Sequence, residues 1–222
     1  MTLLAIAIDG PASSGKSTIA KLLANRLNIT YLDTGAMYRA VTLAYLQRGL
    51  TDTEPATIDQ LLDTMELSFQ WIDGSQHIFL NGEDVSEAIR SVEVTENVSE
   101  ISAIEKVRVA LVALQQKMAA QTAVVMDGRD IGTVVLPQAP YKFFLTASPE
   151  VRALRRYKEN QQRGMMSQSL EELTQAIIER DHYDSTREHS PLKKADDAIE
   201  IDTSDMTIDE LIQQMLAVIQ AS

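Results

Sequence analysis

The stretch Gly10-Pro-Ala-Ser-Ser-Gly15-Lys16-Ser17 constrains this chain more than any other. It fits G-x-x-x-x-G-K-[ST], a loop whose backbone amides wrap an anion. Leu3-Leu-Ala-Ile-Ala-Ile8 before it is a short apolar run, the pattern of a strand buried on both faces. Ile19, Leu22, Leu23 and Leu27 after it recur at helical spacing. Glycines allow the backbone to close around a phosphate, and the following helix adds the positive end of its dipole. A lysine and a serine at the last two positions suit the β- and γ-phosphates and a magnesium ion respectively. The alternative, a chance glycine-rich turn before a helix, does not require this strand and this helix around it. The loop implies a nucleoside triphosphate and leaves the acceptor open.

Composition narrows the class. A chain of 222 residues with 45% hydrophobic content is large enough for one domain with a real core. No apolar run reaches the length of a membrane span, and the early apolar run enters the loop instead of a cleavage site, so no membrane segment or secretory signal is expected. The chain has no cysteine, which excludes disulfides and thiolate metal sites. A cytoplasmic location is expected. The net charge of −12 speaks against a nucleic-acid partner. It leaves room for a small anionic substrate, because screening over about 8 Å lets a local arginine cluster dominate its own cleft.

Further along, Asn28–Leu32 reads as a second strand running into Asp33-Thr34-Gly35-Ala36-Met37-Tyr38-Arg39 at the start of a helix that ends near Gly49. A strand end meeting a helix start is where an α/β fold places ligands. Pro55 opens a further helix. In residues 67–85 Leu67, Phe69 and Trp71 alternate with polar residues, and Asp73-Gly74 and Asn81-Gly82 are hairpin dipeptides, which predicts a three-stranded antiparallel meander. One long helix is expected from about Val92 to Gln121. Arg108 interrupts its apolar stripe, so it either meets a carboxylate, phosphate or polar ligand, or snorkels to water at the edge.

Ala123–Met126 is a buried-type strand ending in Asp127-Gly128-Arg129-Asp130, and an acid there suits Mg²⁺ or its waters. A strand-end turn would use the same residue types. A fourth strand spans Tyr141–Leu145. Pro149–Gly164 then carries Arg152, Arg155, Arg156, Lys158 and Arg163 against only Glu150 and Glu159, an excess that suits a mobile lid over phosphates or a solvated helix. Ser169-Leu-Glu-Glu172 is a capping box. The helix it starts shows Leu170, Leu173, Ile177, Arg180, Asp184 and Arg187 on one face. That face begins apolar and turns charged, either to grip an anion in a cleft or to emerge into solvent. Ala198–Ile201 is a fifth strand, and Thr207-Ile-Asp-Glu210 caps the last helix. The fold class expected is α/β: a three-layer P-loop core with a five-stranded, mostly parallel sheet, a small antiparallel β insertion and a short helical lid.

Four segments together resemble the bacterial cytidylate kinases, a nucleoside monophosphate kinase family: Gly10–Thr18, Asp33–Arg39, Asp127-Gly-Arg-Asp-Ile-Gly-Thr133 and Arg180-Asp-His-Tyr-Asp-Ser-Thr-Arg187. The likeness covers essentially the whole chain. It implies a single kinase domain over 1–222, with residues 36–98 as the monophosphate-binding insertion and 149–166 as the lid. The implied reaction is phosphorylation of CMP and dCMP by ATP with Mg²⁺. The alternative is a P-loop kinase for another nucleoside monophosphate or a small metabolite. Gly10, Pro11, Ala12, Ser13, Ser14, Gly15, Lys16, Ser17 and Thr18, with Arg152, Arg155 and Arg156, correspond to the ATP site. Ser17 and Asp127 correspond to the magnesium ligands, the acid directly or through water. Thr34, Arg108 and Asp130 match the positions that read cytosine, and Tyr38 belongs to the same acceptor site. Arg39, Arg129 and Arg187 match the arginines around the acceptor phosphate, and Ser99, Arg180 and Asp184 the sugar and neighbouring contacts. Lys16, Asp127, Arg129 and Arg187 are the catalytic candidates. Thr34 stands where the family carries serine; it keeps the hydroxyl and adds a methyl. A monomer is expected. A GTPase switch would carry N-K-x-D and D-x-x-G, and a transport ATPase L-S-G-G-Q; none of these strings occurs.

Overall fold

The computed structural model describes residues 3–162, 164 and 168–221. These form two compact bodies, one made of residues up to Leu32 and from Gln116 onward, the other of Asp33–Gln115. Arg163 and part of the expected lid lie outside the described residues.

The first body is built on a five-stranded sheet of β1 (Ala5–Asp9), β2 (Thr30–Asp33), β6 (Val124–Gly128), β7 (Tyr141–Thr146) and β8 (Ile199–Asp202). Its strand order is β2-β6-β1-β7-β8. The pairs β1–β6, β1–β7 and β7–β8 are parallel. Parallel strands are covered on both faces and therefore read as continuous apolar runs. Ile6, Ala7 and Ile8 are fully buried, as are Val125 and Met126. The helix α1 (Lys16–Leu27) and the last helix α8 (Ile208–Gln220) add Ile19, Leu23, Leu211, Ile212 and Met215 to this core. Both predicted capping boxes form, at Ser169 with Glu172 and at Thr207 with Glu210. Each such cap satisfies amides that the first helical turn leaves without partners. The helices α6 (Pro149–Gln162) and α7 (Leu170–Thr186) pack together through Ala153, Tyr157, Leu173 and Ile177. Leu170 begins the expected apolar stripe of α7 but stays exposed, so that stripe starts one turn later, at Leu173.

The second body contains α2 (Thr34–Gln47), α3 (Pro55–Asp63), α4 (Val92–Ala103), most of α5 (Glu105–Ala119) and the predicted meander. The meander comprises β3 (Leu67–Ile72), β4 (Ser75–Leu80) and β5 (Glu83–Asp84), all antiparallel. Asp73 and Gly74, like Asn81 and Gly82, all take positive φ, as a type I′ turn requires. Ile78 and Leu80 are buried, whereas Trp71 is exposed. The single long helix expected from Val92 to Gln121 is in fact two. The chain breaks at Ile104, whose backbone is extended at φ −64° and ψ 122°. No proline or glycine marks the break, and the apolar spacing runs through it unbroken.

Among the described residues no helix is long and apolar enough to cross a membrane.

Candidate active site

The register of β1 against β6 pairs Ile8 with Asp127 and Asp9 with Gly128. The phosphate loop, which leaves the end of β1, therefore begins beside the acid that ends β6. Gly10 has φ +145°, and a Cβ there would fall 2.1 Å from the Leu145 carbonyl oxygen of β7. Only glycine fits where β7 passes so closely. Gly15 takes the left-handed conformation and caps α1. Ser13 shares this positive φ, which bends the loop between them.

Lys16 is buried, with Nζ 2.5 Å from the Pro11 carbonyl and 3.2 Å from Ser14 Oγ. Burial, then the charge of Arg129, pushes its ammonium well below the usual range; Asp127 and Asp9 oppose this, and Arg180 adds to it. The surroundings of Lys16 thus disfavour a further cation and favour an anion. Ser17 Oγ donates to Asp127 Oδ2 at 2.7 Å, and Tyr31 Oη donates to Asp127 Oδ1 at 2.8 Å. A hydroxyl beside a carboxylate is a hard-oxygen pair, suited to a magnesium ion that takes its remaining ligands from water and phosphate. Tyr31 orients this acid from β2 and was not singled out in the sequence. Thr18 is exposed on α1.

Around the end of α7 the charged face expected from the sequence exists and is buried, which sets aside the solvent alternative for Asp184. Arg129 Nε donates to Asp184 Oδ2 at 3.1 Å, and Arg187 Nη1 lies 3.6 Å from Asp184 Oδ1. Arg187 also donates to the Ser190 carbonyl through Nε and Nη2. Burial alone would raise the Asp184 carboxyl, but the charges of Arg129, Arg180 and Arg187 outweigh it and hold the group below the usual carboxylate range. Arg180 is pushed down to about 10 by burial and by Arg129, against the pull of Asp184 and Asp181. It remains charged at neutral pH, and its buried Nε finds no hydrogen-bond partner among the described residues. A buried donor of this kind calls for an acceptor. His182, inside the same segment, is exposed and takes no part in the cluster. Asp130 is buried at the end of the loop that carries Arg129.

The three arginines of α6 are not equivalent. Arg152 is buried and donates through Nε to Ala147 O and through Nη1 to Ala12 O, and Nη2 pairs with Asp181 at 2.6 Å. All three nitrogens engage protein, one of them through the Ala12 carbonyl of the phosphate loop. Arg155 donates to the side chain and carbonyl of Thr203. Arg156 lies 3.8 Å from Glu159 and is half-exposed. The first turns of the expected lid are thus fastened to the phosphate loop, to α7 and to the segments that follow β7 and β8.

The second body carries its own group. Asp33 caps α2 by accepting from Ala36 N, which leaves Thr34 buried in the first turn. Arg108 is buried, with its guanidinium 5.0 Å from the centroid of the Tyr38 ring and Nη1 donating to Ser102 O at 3.0 Å. The edge-snorkelling alternative for Arg108 is therefore overturned. The break at Ile104 is what frees the Ser102 carbonyl from helical bonding, and Ser102 Oγ in turn donates to Ser99 O. Ser99 is half-buried on α4, and Arg39 donates to Thr95 Oγ1 at 3.0 Å. Thr34, Tyr38 and Arg39 on α2 and Ser99 on α4 thus share one body with Arg108.

A family profile described as cytidylate kinase matches residues 6–221. The chain belongs to the cytidylate kinase family. The cytidylate kinase of Streptococcus sanguinis is 55% identical over 96% of this chain and 94% of that protein. The cytidylate kinase of Lactobacillus johnsonii is 49% identical over 98% of this chain and 94% of that protein. Among solved structures, a shikimate kinase from Bacteroides thetaiotaomicron superposes with a TM-score of 0.53 at 14% identity, covering 98% of each chain. That likeness concerns the fold alone: small-molecule kinases share this α/β architecture, and the cytidylate kinase family is set apart by sequence.

Proposed function

We propose that this member of the family transfers the γ-phosphoryl group of ATP to CMP and dCMP, giving ADP and the diphosphates. The observation that carries the reading is electrostatic. Lys16 in the phosphate loop feels the charges of Arg129 and Arg180, members of the arginine group gathered on Asp184. A donor phosphate site and a second cationic group therefore lie within electrostatic reach of each other in one body.

Phosphoryl transfer asks mainly for alignment and charge stabilisation. The acceptor is a phosphate oxygen already ionised near neutral pH, so no general base is required. Like-charge repulsion between donor and acceptor is the obstacle. Lys16 and the loop amides hold the triphosphate, while Arg129 and Arg187 grip the acceptor phosphate with planar forks that stay charged. Arg180 offers its Nε to the acceptor nucleotide, and Asp184 keeps the arginines in place. Ser17 and Asp127 would hold Mg²⁺, with the acid reached directly or through water. When bound, the ion supplies Lewis-acid neutralisation of the phosphate oxygens. Residues 36–98 serve as the monophosphate-binding insertion, contributing Tyr38 and Arg39, and Thr34, Ser99 and Arg108 flank it within the same body. Arg155 and Arg156 lie on the segment 149–166 that serves the ATP side, and residues 1–222 act as one kinase domain.

Base choice follows from donors and acceptors. Cytosine offers acceptors at O2 and N3 and a donor at its amino group; an arginine donor and a carboxylate acceptor complement it. Uracil reverses N3 and C4. A site that leaves buried polar groups unpaired against the wrong base discriminates by about 10⁴-fold.

The test is Arg187→Ala. We expect kcat/KM for CMP to fall about a hundredfold or more, with ATP affinity by calorimetry within about threefold of wild type. An ATP affinity that falls as far as CMP turnover would refute the acceptor-side assignment.

A further inference from the structure

Asp9 ends β1 and precedes the first glycine of the phosphate loop, yet its carboxylate is bonded outside that loop. It is buried, and both oxygens are taken: Oδ1 accepts from Ile131 N at 2.8 Å and Oδ2 from Gly132 N at 2.7 Å. Those amides open a short π-helical turn, Ile131–Val135, in which Val134 N and Val135 N bond to Asp130 O and Leu136 N to Ile131 O. The first amides of any helical turn lack partners within it, and here a side chain from another strand supplies them. The approach is tight at Gly132. A Cβ at Gly132 would lie 3.3 Å from Asp9 Oδ2 and 3.2 Å from Lys142 Cδ. Single-turn π segments are uncommon and cluster at functional sites.

From this geometry, and resting on the function proposed above, we infer that Asp9 is a positioning residue for the acceptor, clamping the turn that presents Arg129 and Asp130. The clamp links β1, which also launches the phosphate loop, to the loop that carries the acceptor arginine and the base-reading acid. Removing one negative oxygen leaves a buried amide facing an NH₂ group, so the turn shifts while the strand stays paired. Catalytic geometry is sensitive to displacements of this size, with a 1 Å error costing on the order of a hundredfold.

The experiment compares wild type with Asp9→Asn, measuring kcat/KM for CMP and for UMP at saturating ATP and Mg²⁺, with ATP affinity by calorimetry. The inference predicts for Asp9→Asn a fall of about tenfold to a hundredfold with CMP, a smaller loss with UMP, and ATP affinity within about threefold of wild type. A merely structural residue would lower both substrates alike. An unchanged CMP-to-UMP ratio in folded Asp9→Asn overturns the inference, as does an equal loss of ATP affinity. Should Asp9→Asn fail to fold, Gly132→Ala disturbs the same clamp from its other side. It should lower the ratio in the same direction, and a wild-type ratio there also overturns the inference. Wild type that does not phosphorylate CMP overturns the proposed function and this inference together, whereas wild-type turnover with an unaltered variant ratio overturns the inference alone.

Discussion

Lys16→Met should remove phosphoryl transfer while leaving the fold at least as stable as wild type. The fall in kcat is expected to be about 10³-fold or more, since the ammonium is the loop's only side-chain cation and acts where charge develops. Stability moves the other way because Lys16 is buried on the carbonyl of Pro11 and feels Arg129 and Arg180, so its charged form is disfavoured by the fold. An unbranched methionine fills the same space without a charge. The sign with pH follows. The folded pKa lies below the ordinary 10.5, so the wild type carries the desolvation cost fully below that lowered value and sheds it as pH rises towards 10.5. Thermal melts should therefore show Lys16→Met level with or above wild type at neutral pH, the gap closing on the alkaline side. A clear loss of stability in Lys16→Met, or retained turnover, would contradict this account of the loop.

Asp184→Asn should damage both stability and activity. Its carboxylate is buried and is the shared counter-charge for Arg129 and Arg187. Leaving buried cations without their partner destabilises by on the order of 3 kcal/mol. Because the folded pKa lies below the ordinary 3.8, the stabilising contribution is present above that value and is lost as pH falls through the lower folded one. Denaturant titrations should show a lower midpoint for Asp184→Asn at pH 7 and a shallower acid limb than wild type. Activity should fall with it, because Arg129 loses the acceptor that orients its fork. An unchanged midpoint would mean that solvent, and not Asp184, compensates these arginines.

Much of this was legible in the residues because local chemistry and tertiary environment agree there. The strand before Gly10, the hairpin dipeptides at Asp73 and Asn81 and the two capping boxes each satisfy a local rule, and the fold keeps all of them. The charged half of α7 was readable as a face because three- and four-residue steps place Arg180, Asp184 and Arg187 together. What stayed hidden depends on long-range register. Tyr31 looks like an ordinary strand aromatic until β2 is laid beside β6 and its hydroxyl meets Asp127. Asp9 looks like part of the loop until its oxygens meet two amides more than a hundred residues away. The bonds of Arg152 to Ala12, Ala147 and Asp181 likewise depend on how distant segments meet. The break at Ile104 has no local mark, since apolar spacing from Ile101 through Ile104 to Val107 fits one helix as well as two.

The most direct measurement is release of ADP from ATP and Mg²⁺ with CMP, dCMP, UMP, AMP, GMP and dTMP offered in turn. Turnover concentrated on CMP and dCMP is the result the proposed function predicts. Equal or better turnover on any other monophosphate, or none with CMP, would contradict it.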